Sequence, residues 1–275
     1  MTVFTEIDPA FLLPDDVWER VQTAIPPDPP KPKGGRPRMD NRQALDAIFY
    51  LLRTGCQWKA LPRCLGAAST VHDRFQLWVE QGVFERMWEL GLEQYAEEVG
   101  IDWQWMAMDG AMVKAPLGGK ATGANPTDRG KRGTKRSVLT DGNGIPIGVA
   151  IEGANRQDMK MTQATLEAQR IVPSELEKEQ VRNLCLDKGY DYEEVREILS
   201  VWGYVGHIPP RDERERVIHD IANYRARRWV VERTHSWMNR FRRLLIRWEK
   251  KPENYLAMIH LACATIVVRA IQVFG

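Results

Sequence analysis

Three acidic residues stand where their type and setting allow phosphoryl chemistry. Asp109 lies in MAMDG, Asp187 in LCLDKGYD, and Glu232 in RRWVVERTHSWMNRFRRL. The last stretch and its flanks surround this single carboxylate with Arg225, Arg227, Arg228, Arg233, Arg240, Arg242, Arg243 and Arg247. Three carboxylates brought within a few ångströms repel one another unless a cation lies between them. Divalent magnesium or manganese, which prefers oxygen ligands, answers that need. Two such ions roughly 4 Å apart can support attack of a water or a 3′-hydroxyl on phosphorus and stabilise the leaving oxygen. The arginines beside Glu232 would then face the polyanion whose phosphate is attacked. Each acid also has an ordinary structural explanation. Asp109 before Gly110 suits a turn, Asp187 suits a helix cap, and Glu232 suits an i,i+4 ion pair with Arg228. Their joint placement on two strands and one helix is what favours a site.

The elements that must position these acids follow from hydrophobic periodicity. WQWMAMDG alternates into a strand that Asp109 ends. TKRSVLTD and IPIGVAIEG form a hairpin through DGNG, and MKMTQATLEAQRI reads as a helix. VRNLCLD is a buried strand ending at Asp187, DYEEVREILSVWG a helix, YVGHIP a strand, and the stretch from about Tyr224 to Trp248 one long helix. Strands of an open sheet deliver their ends to a common crevice. The order fits an α/β, ribonuclease H-like core, a mixed sheet with an antiparallel hairpin beside parallel strands and helices on its faces. Asp158, Asp191 and Glu193 read as helix starts, and Asp141 belongs to the DGNG turn.

Ahead of this core the chain is helical. PDDVWERVQTAI is a short amphipathic helix within 1–30. Residues 31–40 form a basic Pro- and Gly-rich linker whose Arg36 and Arg38 can follow a phosphate backbone. Residues 41–100 read as a helical DNA-binding domain: NRQALDAIFYLLRTG ends at Gly55, Ser69 or Thr70 caps TVHDRFQLWVEQG, and VFERMWELGLEQYAEEVG closes the bundle. A helix, a short connection and a capped helix with polar side chains near its start is the pattern of a helix-turn-helix reader, which any three-helix bundle also approximates. Residues 101–275 hold the acids.

The chain of 275 residues carries a net charge of only +2, yet its basic residues gather near 31–38, 114–136 and 225–250. That clustering points to nucleic acid. The loop from Gly118 to Arg136, glycine-rich and bearing Lys135 and Arg136, reads as a mobile phosphate clamp. It contains no GxxxxGK[ST], so no ATP is implied. Trp237, one turn beyond Glu232, is the tryptophan best placed to meet a distorted DNA end, whereas His235 is a candidate local proton or phosphate contact, with an exposed helix histidine the commoner case. Cys56, Cys64, Cys185 and Cys263 form no CxxC pair and read as reduced core thiols of a cytoplasmic protein. The N-terminus has no signal-peptide pattern. The apolar C-terminal stretch is interrupted by His260 and Arg269, which favours a core helix over a membrane span.

MAMDGAMVKA, NPTDRGKRGTKRSVLTDGNGIPIGVAIEGANRQDMK, LCLDKGYD and RRWVVERTHSWMNRFRRL, in that order, together with GRPRMDNRQALDAIFYLLRTGCQWKALP, resemble the DDE transposases of bacterial insertion sequences, specifically the insertion sequence 5 group. The resemblance implies a ribonuclease H-like catalytic core with Asp109, Asp187 and Glu232 as the metal-binding triad and two divalent ions, Mg²⁺ or Mn²⁺, as cofactor. It implies binding of terminal inverted repeats in double-stranded DNA, cleavage at the ends, joining of 3′-hydroxyls to target DNA, and a homodimer or larger synaptic complex close to the bacterial nucleoid. Related transposases carry Tyr, two residues, Arg, three residues, Glu, six residues, Lys around the glutamate. Arg228 fits the arginine, Tyr224 lies one residue early, and Asn239 occupies the lysine position with Arg240 beside it. Arg36, Arg38, Lys135, Arg136, Arg228, Arg233, Trp237 and Arg240 are the expected DNA contacts. A catalytically silent DNA-binding regulator and another ribonuclease H-like nuclease are the competing readings.

Overall fold

The computed structural model describes residues 7–28, 30, 34, 37–210 and 229–275. Arg36, Tyr224, Arg225, Arg227 and Arg228 lie outside the described residues. At the centre stands a six-stranded sheet: β1 (Trp105–Lys114), β2 (Gly123–Ala124), β3 (Arg132–Thr140), β4 (Pro146–Gly153), β5 (Arg182–Cys185) and β6 (Tyr204–His207). The longer strands lie in the order β4-β3-β1-β5-β6. β3 is antiparallel to both β1 and β4, β5 is parallel to β1, and β6 is parallel to β5. This is the ribonuclease H-like arrangement, in which a hairpin sits beside parallel strands.

The hairpin closes where DGNG requires it. Asp141 accepts the backbone N–H of Asn143 at 2.9 Å and of Ile145 at 2.7 Å, while Gly144 takes φ +79°, a region that suits glycine. Burial pushes the Asp141 carboxyl up to about 7, against the pull of these N–H donors.

Nine α-helices occur among the described residues. The first four are α1 (Asp15–Val21), α2 (Asn41–Thr54), α3 (Ala68–Glu80) and α4 (Val83–Glu98). α2 follows its sequence signals: Asp40 caps it by accepting from Gln43 N at 3.0 Å, and it stops at left-handed Gly55. α3 departs from them. It starts at Ala68 with Ala67 at the cap and no side-chain bond there, so Ser69 and Thr70 lie inside the first turn.

The later helices are α5 (Thr162–Glu167), α6 (Glu175–Lys178), α7 (Glu193–Val201), α8 (Trp229–Asn239) and α9 (Pro252–Phe274). α9 is the helix whose apolarity resembles a membrane span, yet 78% of its most apolar window is buried within the protein. It packs on α4 and runs past β4. Trp88 of α4 stacks near His260 of α9, 5.3 Å between ring centroids, and donates its indole N–H to the Pro146 carbonyl at 3.0 Å. One hydrophobic core thus runs from Val17 and Ile48 through Trp88 and Val267 to Met106 and Leu184.

Several expected boundaries move. The long helix expected to reach Trp248 ends at Asn239. Phe241 turns inward against Phe49, and Arg243 is drawn under the surface by Glu249, its Nη2 2.7 Å from Glu249 Oε1, so the chain breaks into a 3₁₀ turn at Arg242–Leu244. The helix expected over 159–171 divides into a 3₁₀ turn at Asp158–Met161 and α5. Cys64 is exposed rather than in the core, and all four cysteines are free thiols.

Candidate active site

Asp109 does not end its strand. β1 continues to Lys114 because Ala107–Lys114 pair residue by residue with β3, so the carboxyl projects from the middle of a rigid strand. Asp187 lies two residues past β5, where its Oδ1 accepts Gly189 N at 2.7 Å and caps a 3₁₀ turn at Lys188–Tyr190. Glu232 is exposed in the first described turn of α8. That helix is hooked onto the β3–β4 turn: Thr234 Oγ1 donates to the Gly144 carbonyl at 2.6 Å and Arg233 Nη2 to the Asn143 carbonyl at 2.6 Å.

These placements bring Asp187 and Glu232 into electrostatic range of Asp109. Burial pushes the Asp109 carboxyl up to about 6; a hydrogen bond from Gly110 N at 2.8 Å opposes the rise, and the charges of Asp187, Asp158 and Glu232 add to it. Asp158 is a fourth acid that sequence reasoning assigned to a helix start. A Cβ on Gly110 would collide with its carboxylate, so the bare α-carbon after Asp109 is what admits Asp158 to the site. The only hint in the sequence is that glycine, whose role depends on a residue 48 positions away.

The surroundings are largely buried. Lys135 Nζ stands 3.0 Å from Asp158 Oδ1 and donates to the Arg156 carbonyl at 2.7 Å. Tyr190 is fully buried beside the acids; burial, with the charges of Asp158 and Asp109, raises its hydroxyl well above the ordinary range. His235, expected to be exposed, is 8% exposed, and burial with the nearby Arg136 charge lowers its ring to about 3. A neutral imidazole therefore packs α8 against the backbone at Asp109.

The expected basic contacts divide. Lys135 and Arg136 are not on a mobile loop: β3 has already begun, and they are 5% and 1% exposed. Arg136 is sealed beneath α8, where its Nη2 donates to Asn239 Oδ1 at 2.8 Å. Asn239, in the expected lysine position, thus takes one of the hydrogen bonds of a buried arginine, whose Nε and Nη1 have no partner. The preceding loop is also pinned. Buried Arg247 donates to the Lys120 carbonyl at 2.8 Å, the Ala121 carbonyl at 2.9 Å and Thr134 Oγ1 at 2.8 Å. Arg38 is exposed but ion-paired to Asp28 at 3.2 Å, beside a groove of about 790 Å³ between the linker and α3. Arg233 lies between two rings, 4.9 Å from the Trp229 centroid and 4.8 Å from that of Trp237. Arg240 is exposed just past α8, and Arg36 and Arg228 fall outside the described residues.

Among the described residues no three His, Cys, Asp or Glu side chains lie close enough together to hold a metal ion. The acids are nonetheless all carboxylate oxygen donors, and their repulsion falls on a partly buried Asp109. Carboxylate oxygen is the ligand type a hard divalent ion prefers, so these acids suit such an ion in chemistry, with closer approach needed to hold it.

A strand order of this kind is that of a ribonuclease H-like protein, here with acids on β1, after β5 and on α8. Residues 104–267 match the family described as "Transposase DDE domain", and residues 13–88 match "Putative transposase of IS4/5 family". The chain belongs to the DDE transposases of insertion sequences. It is 36% identical over 151 residues to the "Putative transposase for insertion sequence element IS402" of Burkholderia cepacia, covering 53% of this chain and 67% of that protein. It is also 36% identical over 103 residues to "Uncharacterized protein y4sN" of Sinorhizobium fredii, covering 38% and 76% respectively. The solved catalytic domain of Mos1 mariner transposase overlaps 68% of this chain and 91% of that one, at 14% identity and a TM-score of 0.30, a likeness too slight to carry an argument.

Proposed function

We propose that this transposase binds the terminal inverted repeats of its insertion sequence, cleaves the DNA ends by divalent-metal-dependent phosphoryl transfer and joins the freed 3′-hydroxyls to target DNA. The supporting observations are the match of residues 104–267 to the transposase DDE domain and the placement of Asp187, Asp158 and Glu232 near enough for their charges to act on the partly buried Asp109 carboxyl. Asp109, Asp187 and Glu232 would hold Mg²⁺ or Mn²⁺, and such ions supply Lewis-acid stabilisation of oxygens gaining charge at phosphorus.

The chain's own contribution is position. Asp109 is fixed by the β1–β3 ladder, Asp187 by the turn it caps, and Glu232 by the hooks of α8 on the hairpin. In cleavage, a water oxygen bonds to phosphorus as the phosphorus–O3′ bond breaks and O3′ leaves as a hydroxyl. In joining, that hydroxyl oxygen bonds to a target phosphorus, releases a proton, and displaces the target's own O3′. Two ends must meet, which calls for a homodimer or larger synaptic assembly in the cytoplasm. Arg233, Trp237 and Arg240 lie on and just beyond the same helix as Glu232 and would meet the DNA there, and Arg38 would meet it beside α3.

The test incubates the full chain with duplexes of the DNA flanking its gene and a supercoiled plasmid, in Mg²⁺ or EDTA, beside Asp187→Asn. Metal-dependent cleavage and joining, lost in the variant while end binding survives, is the expected result. Specific end binding without cleavage by the unaltered protein would overturn the catalytic reading.

A further inference from the structure

Away from the acids, three guanidinium groups from three elements meet around one hollow. Arg53 comes from the last turn of α2, Arg240 follows the end of α8, and Arg269 projects from the outer side of α9. With Trp237, Ile266 and Phe274 among its walls, the hollow encloses about 220 Å³.

Arg53 is held over the Phe241 ring, 5.5 Å from its centroid, and Nη1 donates to the Arg240 carbonyl at 3.3 Å. Burial, and then the positive charges of Arg269 and Arg240, lower its pKa, and no acid opposes them. None of the three arginines has a carboxylate partner among the described residues. Like charges gathered over an apolar floor are costly without an anion. Guanidinium groups match phosphate oxygens in charge and hydrogen-bond geometry.

We propose that Arg53, Arg240 and Arg269 form a binding site for a backbone phosphate of the DNA whose end is processed, beyond the far end of α8 from Glu232. This rests on the DNA-processing reading above and adds a position to it. Arg240 follows Glu232 by eight residues, about 12 Å along a helix axis at about 1.5 Å per residue. A DNA strand covers that distance in about three to four nucleotides, at about 3.4 Å each. On a strand laid along α8, the phosphate held here would be the third or fourth from the cleaved bond. Because Arg53 belongs to α2, the same phosphate is shared between the N-terminal helices and the helix that carries Glu232.

Fluorescence anisotropy of a labelled end duplex, measured across a range of KCl concentrations, tests this with the full chain, Arg269→Ala, Arg53→Lys and the double variant Arg53→Ala/Arg269→Ala. Arg269 is exposed, and a melting curve checks that each variant is folded. Loss of one phosphate contact should lower the salt slope by about 0.9 and weaken binding about eightfold at 0.1 M salt. The loss should be equal on an unrelated duplex, and Arg53→Lys should retain the slope. A neutral methylphosphonate at the third or fourth phosphate should erase the difference between the unaltered protein and Arg269→Ala. Unchanged slopes and affinities in Arg269→Ala and the double variant, in a protein that still cleaves its ends in Mg²⁺, would overturn the phosphate site alone. The slope loss without any cleavage by the unaltered protein would support the phosphate site while the catalytic reading falls.

Discussion

Replacing Asp109 with Asn should make the metal-free protein more stable, and the gain should depend on pH in a defined direction. Burial, with the charges of neighbouring acids, pushes the carboxyl up to about 6 from an ordinary value of 3.8. Below about pH 4 both folded and unfolded chains carry the proton, and nothing is lost. Between about pH 4 and 6 the unfolded chain releases it while the folded chain keeps it, so stability falls as pH rises and is flat above. The rise corresponds to about 3 kcal/mol at about 1.4 kcal/mol per pH unit. Burying the Asn amide takes back part of this, leaving an expected gain of about 1–3 kcal/mol at pH 8 in EDTA. Urea unfolding followed by tryptophan fluorescence at pH 4, 5, 6 and 8 measures it, and other titrating groups such as Asp141 cancel in the difference. Saturating Mg²⁺ should reverse the order by stabilising only the unaltered protein. An Asn variant that is no more stable at pH 8, or whose gain does not change between pH 4 and 8, would refute the account of a repelled, partly buried carboxyl.

Gly110→Ala should drive the Asp158 carboxylate from its seat, costing about 1–3 kcal/mol and weakening Mn²⁺ binding followed by electron paramagnetic resonance. Glu249→Gln leaves Arg243, 4% exposed, without its anion and should destabilise by about 3 kcal/mol in urea titration. Arg247→Met strands the carbonyls of Lys120 and Ala121; it should cost about 2–4 kcal/mol and speed amide exchange across residues 119–122.

The sheet was legible because alternation and the DGNG turn are local signals, and β3, β4 and the buried β5 carry them strongly. Asp109, Asp187 and Glu232 could be singled out for a related reason: each sits beside a strong element signal. What local pattern could not convey was the effect of partners distant in the chain. β1 outruns its turn-like Asp-Gly because β3 pairs along its whole length. The arginine-rich helix ends early because Phe241 and Arg243 have buried partners at Phe49 and Glu249. Lys135 and Arg136 were read by charge alone, but Asp158 and Asn239 give them reasons to face inward. Asp158 itself was invisible for want of any local mark.

The single core that passes from α4 into α9 also bears on inheritance. In a chain whose recognition helices hung on a tether, those helices could be traded between lineages like a detachable cassette. Here α4 lends Trp88 to His260 and to the Pro146 carbonyl, so a foreign N-terminal segment would have to reproduce that seam or leave α9 bare to water. If the N-terminal helices read the DNA ends as proposed, new end specificities should arise by substitution on the outer faces of α2 and α3, with the seam passed down intact.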